Sequence, residues 1–330
     1  MTPPTGHNVV AAAEAERVPE PEVFSTLGLP DARRVELWER HNTAALVSLD
    51  VRANGPLQAS EVTVRLPRVT LARVRATSHA IERSAGAIAG DPCESIAVYL
   101  MLRGESSFAQ QGGSHTLRPG QAVICETDRP FARDFAYGLD ELVVKVPCDA
   151  IEVQSRYPVI TSFGADDGGD CRYAAALAKL TARATRAAQP VAADERTVMD
   201  LVTVLTVGPQ AARPAAYRAA AKAFIEERLT DPGLGADQVA ATIGISERQL
   251  SRVLAADETS VPRYVLSRRL ELARAMLVAG QPGQGSVSVA EIATRCGFVS
   301  TTYFSHVFRK QFGRRAGEIL RESRKPLETR

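Results

Sequence analysis

Ser246-Glu-Arg-Gln-Leu-Ser-Arg-Val-Leu254 and Ser300-Thr-Thr-Tyr-Phe-Ser-His-Val-Phe308 carry one pattern, Ser-x-x-x-apolar-Ser-basic-Val-apolar, repeated 54 residues apart. Each copy follows an Ala-x-x-x-Gly, Ala240 to Gly244 and Ala293 to Gly297. A small Ala lets two helices approach closely, and Gly takes the left-handed conformation that ends the first of them. Ser246 and Ser300 are good N-caps for the second. This is the grammar of a helix-turn-helix, and its duplication in register predicts two such units side by side.

Working outward, helices are expected at 215–230, 236–243, 247–255, 261–279, 289–295, 301–312 and 316–322, with Gly280 to Gly285 between the halves. Leu270, Ala273 and Leu277 recur at helical spacing, so the long helix joining the units reads as a rigid strut. The second helix of each unit would enter a major groove of double-stranded DNA with its first turn towards base edges. Outward positions are Glu247, Arg248, Ser251 and Arg252 in the first, with Leu250, Val253 and Leu254 inward. In the second, Thr301, Thr302, Ser305 and His306 face out, while Phe304, Val307 and Phe308 pack. Arg can grip guanine O6 and N7, whereas Ser and Thr read either partner less selectively. Arg309 and Lys310, late in the helix, suit phosphates. Two readers on one strut imply two boxes about one helical turn, ~34 Å, apart.

Net charge is only +2, but it is split. From Pro214 onward there are 18 Lys and Arg against 12 Asp and Glu, and before it 22 against 26. A basic end on an acidic body is what a phosphate partner would select.

Upstream, short alternating stretches are punctuated by turns: 62–66, 71–75, 79–83, 95–102, 106–110, 115–117, 122–125 and 141–146. That rhythm predicts an antiparallel sandwich or small barrel. A helix over 30–46 carries Trp38, read as its clamp. Ala- and Leu-rich stretches at 172–188 and 194–207 predict an antiparallel helix pair, and Gly208-Pro209 through Pro214 a linker.

The five cysteines are scattered without a Cys-x-x-Cys, so neither structural zinc nor a disulfide framework is expected, which fits a reducing cytoplasm. No apolar run approaches the ~20 residues of a membrane span. The first 22 residues, rich in Pro, Ala and Glu, read as a disordered lead without signal-peptide features.

The stretch Ile292-Ala-x-x-x-Gly-Phe-x-Ser-x-x-Tyr-Phe-Ser-x-Val-Phe-Arg-Lys-x-Phe-Gly313, with Arg269-Leu-x-x-Ala-Arg274, resembles the AraC/XylS family of bacterial transcription regulators over about 216–321. Two positions depart from its pattern. Ala316 stands where the family usually has Pro, and His306 where it often has Arg, which puts that base contact in question and could make binding mildly pH-sensitive. Upstream, Phe24-Ser-Thr, Arg34-Val-Glu-Leu-Trp-Glu39, Pro119-Gly-Gln-Ala-Val and Asp128-Arg-Pro-Phe131 resemble the family's cupin-like sensor.

The expected fold is therefore α+β. An N-terminal cupin-like antiparallel β-barrel (23–150) carries a helical dimerisation pair (151–208). After a linker (209–215) comes an all-α double helix-turn-helix (216–322), with 323–330 a tail. The resemblance implies effector sensing, a homodimer formed through the N-terminal part and activation of neighbouring operons; the mechanism expected from the domain order leaves room for contact with RNA polymerase, and no cofactor is expected. A barrel serving only as a dimer scaffold, or a repressor, stays open. A metal-cupin enzyme on a DNA anchor is disfavoured, because His41, His79 and His115 stand singly and no His-x-His occurs. For the sensor pocket, alternation puts Tyr99 with Met101, and Arg83 with His79 and Ile81, so Tyr99 and Arg83 are the candidate ligand contacts.

Overall fold

Ser95-Ile-Ala-Val-Tyr-Leu-Met-Leu-Arg103 is apolar at both parities because both of its faces are covered. In the computed structural model, which describes residues 21–53, 55–151, 157–164, 171–279 and 287–324, this strand (β6) lies inside a sheet of seven. The sheet order is β1 (Glu22–Ser25), β3 (Ala59–Arg65), β4 (Thr70–Ala76), β11 (Leu139–Pro147), β6, β9 (Gln121–Glu126) and β12 (Val159–Ser162). A second sheet of five runs β2 (Asp50–Ala53), β5 (His79–Arg83), β10 (Phe131–Phe135), β7 (Ser106–Gln110) and β8 (Gly113–Leu117). All pairings are antiparallel.

Between the sheets, Tyr99 and Met101 meet Phe108, Phe131 and Phe135, and helix α1 (Asp31–Ala45) inserts Trp38 into the same core. A short helix, α2 (Ala85–Gly90), follows β5. On the other face of β6, Ile96, Val98 and Leu100 pack against α3 (Cys171–Ala184) and α4 (Glu195–Val207). The helical pair is thus a layer laid on the large sheet. Four strands escaped the alternation rule: β1, β2, β10 and β12. In β10 the reason is Arg133, a charged residue at an inward position, which breaks the apolar rhythm of Phe131-Ala-Arg-Asp-Phe135.

The stretch expected as a linker holds the start of a helix instead. Helix α5 (Arg213–Glu227) carries Pro214 in its first turn, where a missing N–H removes no hydrogen bond. Ala212, Ala215, Ala216 and Ala219 join the sheet–helix core, whereas Ala221, Ile225 and Leu229 belong to the core that follows. The remaining helices are α6 (Ala236–Ile243), α7 (Glu247–Ala255), α8 (Val261–Ala279), α9 (Val289–Arg295), α10 (Thr301–Phe312) and α11 (Ala316–Glu322), at the expected bounds. The expected lead, apart from its last two residues, the Gly280–Gly285 separator and most of the tail lie outside the described residues.

Candidate nucleic-acid interface

Two helix-turn-helix units form as their punctuation dictates. Helix α6 ends at Gly244 with φ +73, and Ser246 then accepts a hydrogen bond from the Gln249 amide at 3.2 Å. In the second unit Gly297 takes φ +82, and Ser300 accepts from the Tyr303 amide at 3.2 Å. Leu250 and Leu254 bury the inner face of α7, and Phe304 and Phe308 that of α10. Phe298, Phe304, Phe308 and Phe312 form a chain of ring contacts 4.7 to 5.3 Å apart behind α10.

All ten candidate contact residues are exposed. Glu247, Arg248, Ser251 and Arg252 share one face of α7, and Thr301, Thr302, Ser305, His306, Arg309 and Lys310 line α10. Spacing alone missed two neighbours. Val299, 88% exposed, and Tyr303, 52% exposed, flank the first turn of α10 with no core to fill. The signal for Tyr303 was its placement: the inward series Phe304, Val307, Phe308 leaves it outside.

Helix α8 joins both cores. Val261, Tyr264 and Val265 pack into the first unit, and Leu270, Ala273 and Leu277 into the second. Arg269, in the middle, donates to the carbonyls of Leu229 and Asp231 at 2.8 and 2.6 Å and fixes the loop after α5.

A buried ionic network ties this array to the layer on the sheet. Lys222 of α5 lies 2.8 Å from Asp194, at the start of α4, and 2.7 Å from Asp257, after α7. Its ammonium also sits 5.1 Å over the Tyr264 ring. Arg218 forks onto Asp200 of α4 at 2.8 and 2.5 Å. Glu226 of α5 bridges Arg268 of α8, at 2.5 Å, to Arg183 of α3, at 2.8 Å. Burial alone would raise the Asp194 carboxyl, but Lys222 and the Thr197 hydroxyl outweigh it and hold it below its ordinary value.

The barrel interior answers the pocket expectation differently for its two residues. Arg83 is fully buried, and its guanidinium donates to the carbonyls of Thr127, Ser48 and Asp91 at 3.0, 2.9 and 2.6 Å and to Asp128 at 3.3 Å. It is spent on its own chain, staking β5 to the loops around it. Tyr99 does line the interior, but beneath Arg133, whose guanidinium lies 4.3 Å from its ring centre. Arg133 in turn grips Glu141 with two bonds of 2.9 and 2.8 Å. His79 stacks on Phe135 at 4.9 Å, and burial pushes its imidazole below the ordinary value. The enclosed space beside Tyr99 is about 30 Å3, room for one water. Among the described residues no group of three His, Cys, Asp or Glu is placed to hold a metal, and no helix is long and apolar enough to cross a membrane.

Comparison with known proteins agrees with this architecture. Residues 38–229 match the AraC-binding-like domain, and residues 239–322 a helix-turn-helix domain. The transcriptional activator NphR of a Rhodococcus species is 26% identical over 264 residues, 76% of each chain. The regulator GbdR of Pseudomonas aeruginosa is 39% identical over 92 residues, 28% of this chain and 23% of its own. The crystal structure of the AraC-like transcriptional activator CuxR aligns over 76% of this chain and 94% of its own, with 15% identity and a TM-score of 0.47. A sensor-type match spanning more than half the residues, followed by a second match over two capped helix-turn-helix units, leaves one assignment: the chain belongs to the AraC family of DNA-binding transcription regulators.

Proposed function

We propose that this protein activates transcription in response to a small molecule, binding as a homodimer to paired boxes and touching RNA polymerase from them. The observation that carries the reading is the pair of capped helices, α7 and α10, with polar outer faces free and inner faces anchored to one strut. On this reading Arg248 and Arg252 take bases or adjacent phosphates, and Thr301, Thr302 and Ser305 read base edges. Arg309 and Lys310 hold the backbone, and His306 stands where a second arginine would reach. Val299 and Tyr303 supply apolar contact for thymine methyls. Activation is suggested by NphR, which is named a transcriptional activator. Coupling would run through the Lys222–Asp194–Asp257 and Arg183–Glu226–Arg268 links, which both layers share. The compartment would be the cytoplasm, where the DNA is.

Selection of binding sites from random duplexes with the full-length chain tests this. Two short boxes about 10 base pairs apart are expected, with affinity falling steeply as salt rises. Arg248→Ala should weaken the selected site by about 1–3 kcal/mol and relax one position within it. A single enriched box would leave only one unit reading bases, and no enrichment would remove the proposal.

A second reading concerns the barrel alone. Its interior is filled by aromatic rings and the Arg133–Glu141 pair, which favours a role as scaffold over a ligand chamber. The effector then needs another seat.

A further inference from the structure

A cleft opens where the layer on the sheet meets the strut. Helices α3, α4, α5 and α8 enclose a cleft of about 470 Å3. Small-molecule sites run from roughly 300 to 1,000 Å3. The enclosed space beside Tyr99, about 30 Å3, falls far short of that, and in the wider recess of about 560 Å3 on the barrel Arg73 and Arg75 are already paired with Asp140. The cleft floor is apolar, made by Leu180, Val191, Leu201 and Ala223. Its rim is cationic: Lys179, Arg183, Arg186 and Arg268 stand against Glu226 and Glu227.

The pairing of these charges is uneven. Lys179 is matched to Glu227 at 2.6 Å. Glu226 is divided between Arg183 and Arg268. Arg186 is exposed and, among the described residues, has no acidic partner. Four cations thus face two carboxylates around an apolar floor, and Arg186 is the cation left to solvent.

Resting on the regulator reading above, we infer that this cleft binds an amphipathic monocarboxylate, its aliphatic or aryl body on the Leu180–Leu201–Ala223 floor and its carboxylate between Arg186 and Arg183. The consequence for the protein follows from the shared acid. A carboxylate taken by Arg183 releases Glu226 to Arg268 alone, so the ligand rewrites an ion bridge that runs from α3 through α5 to the strut α8. The site thus lies on the joint between sensor layer and DNA-binding array, not inside the barrel.

Calorimetric titration of the full-length protein with 3-phenylpropionate and octanoate, each beside its carboxamide, tests this. Each carboxylate should bind about tenfold more tightly than its amide, the margin of one charge-assisted hydrogen bond. Arg186→Gln should erase that margin while leaving the amides unchanged. Ala223→Met, which fills the floor, should abolish binding of all four, and Tyr99→Phe in the barrel should change nothing. Carboxylates and amides binding alike, no binding by any probe at low-millimolar concentration, or sensitivity to Tyr99→Phe but not to Arg186→Gln would overturn the assignment. Affinity for the selected duplex, measured on the same preparations, keeps the two proposals apart. Retained DNA binding with failed probes sinks the cleft alone, whereas loss of DNA binding by the unaltered protein sinks the regulator reading.

Discussion

Lys222 shows how one residue can belong to three elements. Its side chain is 2% exposed, and its ammonium is divided between Asp194 and Asp257. Replacing it by methionine keeps the volume but strips Asp194 of its ion pair and leaves Asp257 to Arg196 and Arg218, 3.6 and 3.8 Å away. We expect Lys222→Met to lose about 3 kcal/mol in denaturant unfolding, the lower end for a broken buried pair because Asp194 is partly open to water. The pH dependence has a definite sign. The Asp194 carboxyl titrates lower in the folded chain than in the unfolded one, so falling pH protonates the unfolded state first. Its contribution is complete above the ordinary carboxylate value of about 3.9 and is lost as pH falls through the depressed one. Asp140, gripped by Arg73 and Arg75, and Asp128, gripped by two backbone amides and Arg83, are also held low against the cost of burial, and they add to the same acid limb. Unfolding free energy measured against pH should fall through this window, and Lys222→Met should flatten the fall.

At the scale of elements, two turns that look alike in sequence are not equivalent. Gly244 and Gly297 both follow Ala-x-x-x, and both take a left-handed φ. A methyl group on Gly244 would meet nothing within 4 Å, whereas on Gly297 it would lie 2.9 Å from the Thr230 carbonyl and 3.0 Å from Arg269. Gly244→Ala should cost about 1 kcal/mol, the strain of the backbone conformation alone. Gly297→Ala should cost clearly more, since Thr230 and Arg269 are fixed by the strut; paired denaturation curves measure the difference. Such asymmetry could not be read from spacing, because it depends on a residue 67 positions upstream. Helices α6 to α11 were legible to the residue from caps and periodicity, those before them only to within a few residues, and Ser246 and Ser300 do cap as expected. What stayed hidden was decided by burial: Arg133, charged and within a stretch not expected as a strand, is an inner residue. Arg83 looked free for a ligand and is bonded on every side. Pro214 looked like the end of a domain and opens a helix that two cores share.

For the whole molecule, α5 is the element that counts most. Its first half lies in the core beneath the large sheet and its second half in the core of the first helix-turn-helix unit. Two cores joined by one continuous helix and a buried ionic network should unfold together. Trp38, the single tryptophan, reports the barrel, and far-ultraviolet dichroism is dominated by the helices. Coincident midpoints from the two signals are expected in a denaturant titration. Separated midpoints would show that sensor and DNA-binding array hold together only loosely, and that the ionic links carry little force.

The shared helix also bears on how such a regulator can be recombined. A gene fusion that trades one sensor for another has to cut somewhere, and the Gly208–Pro214 stretch, by its letters, invites the cut. Made there, the splice would seat a foreign Ala212–Ala219 face against the old sheet. A chimaera that inherits α3, α4 and α5 as a block keeps the cleft floor and Glu226, and needs an arginine at the place of Arg268 on its new strut to restore the bridge. New specificities would therefore travel with that block intact, and a seam after Leu229 holds only where the incoming first reader accepts the Ala221, Ile225 and Leu229 face.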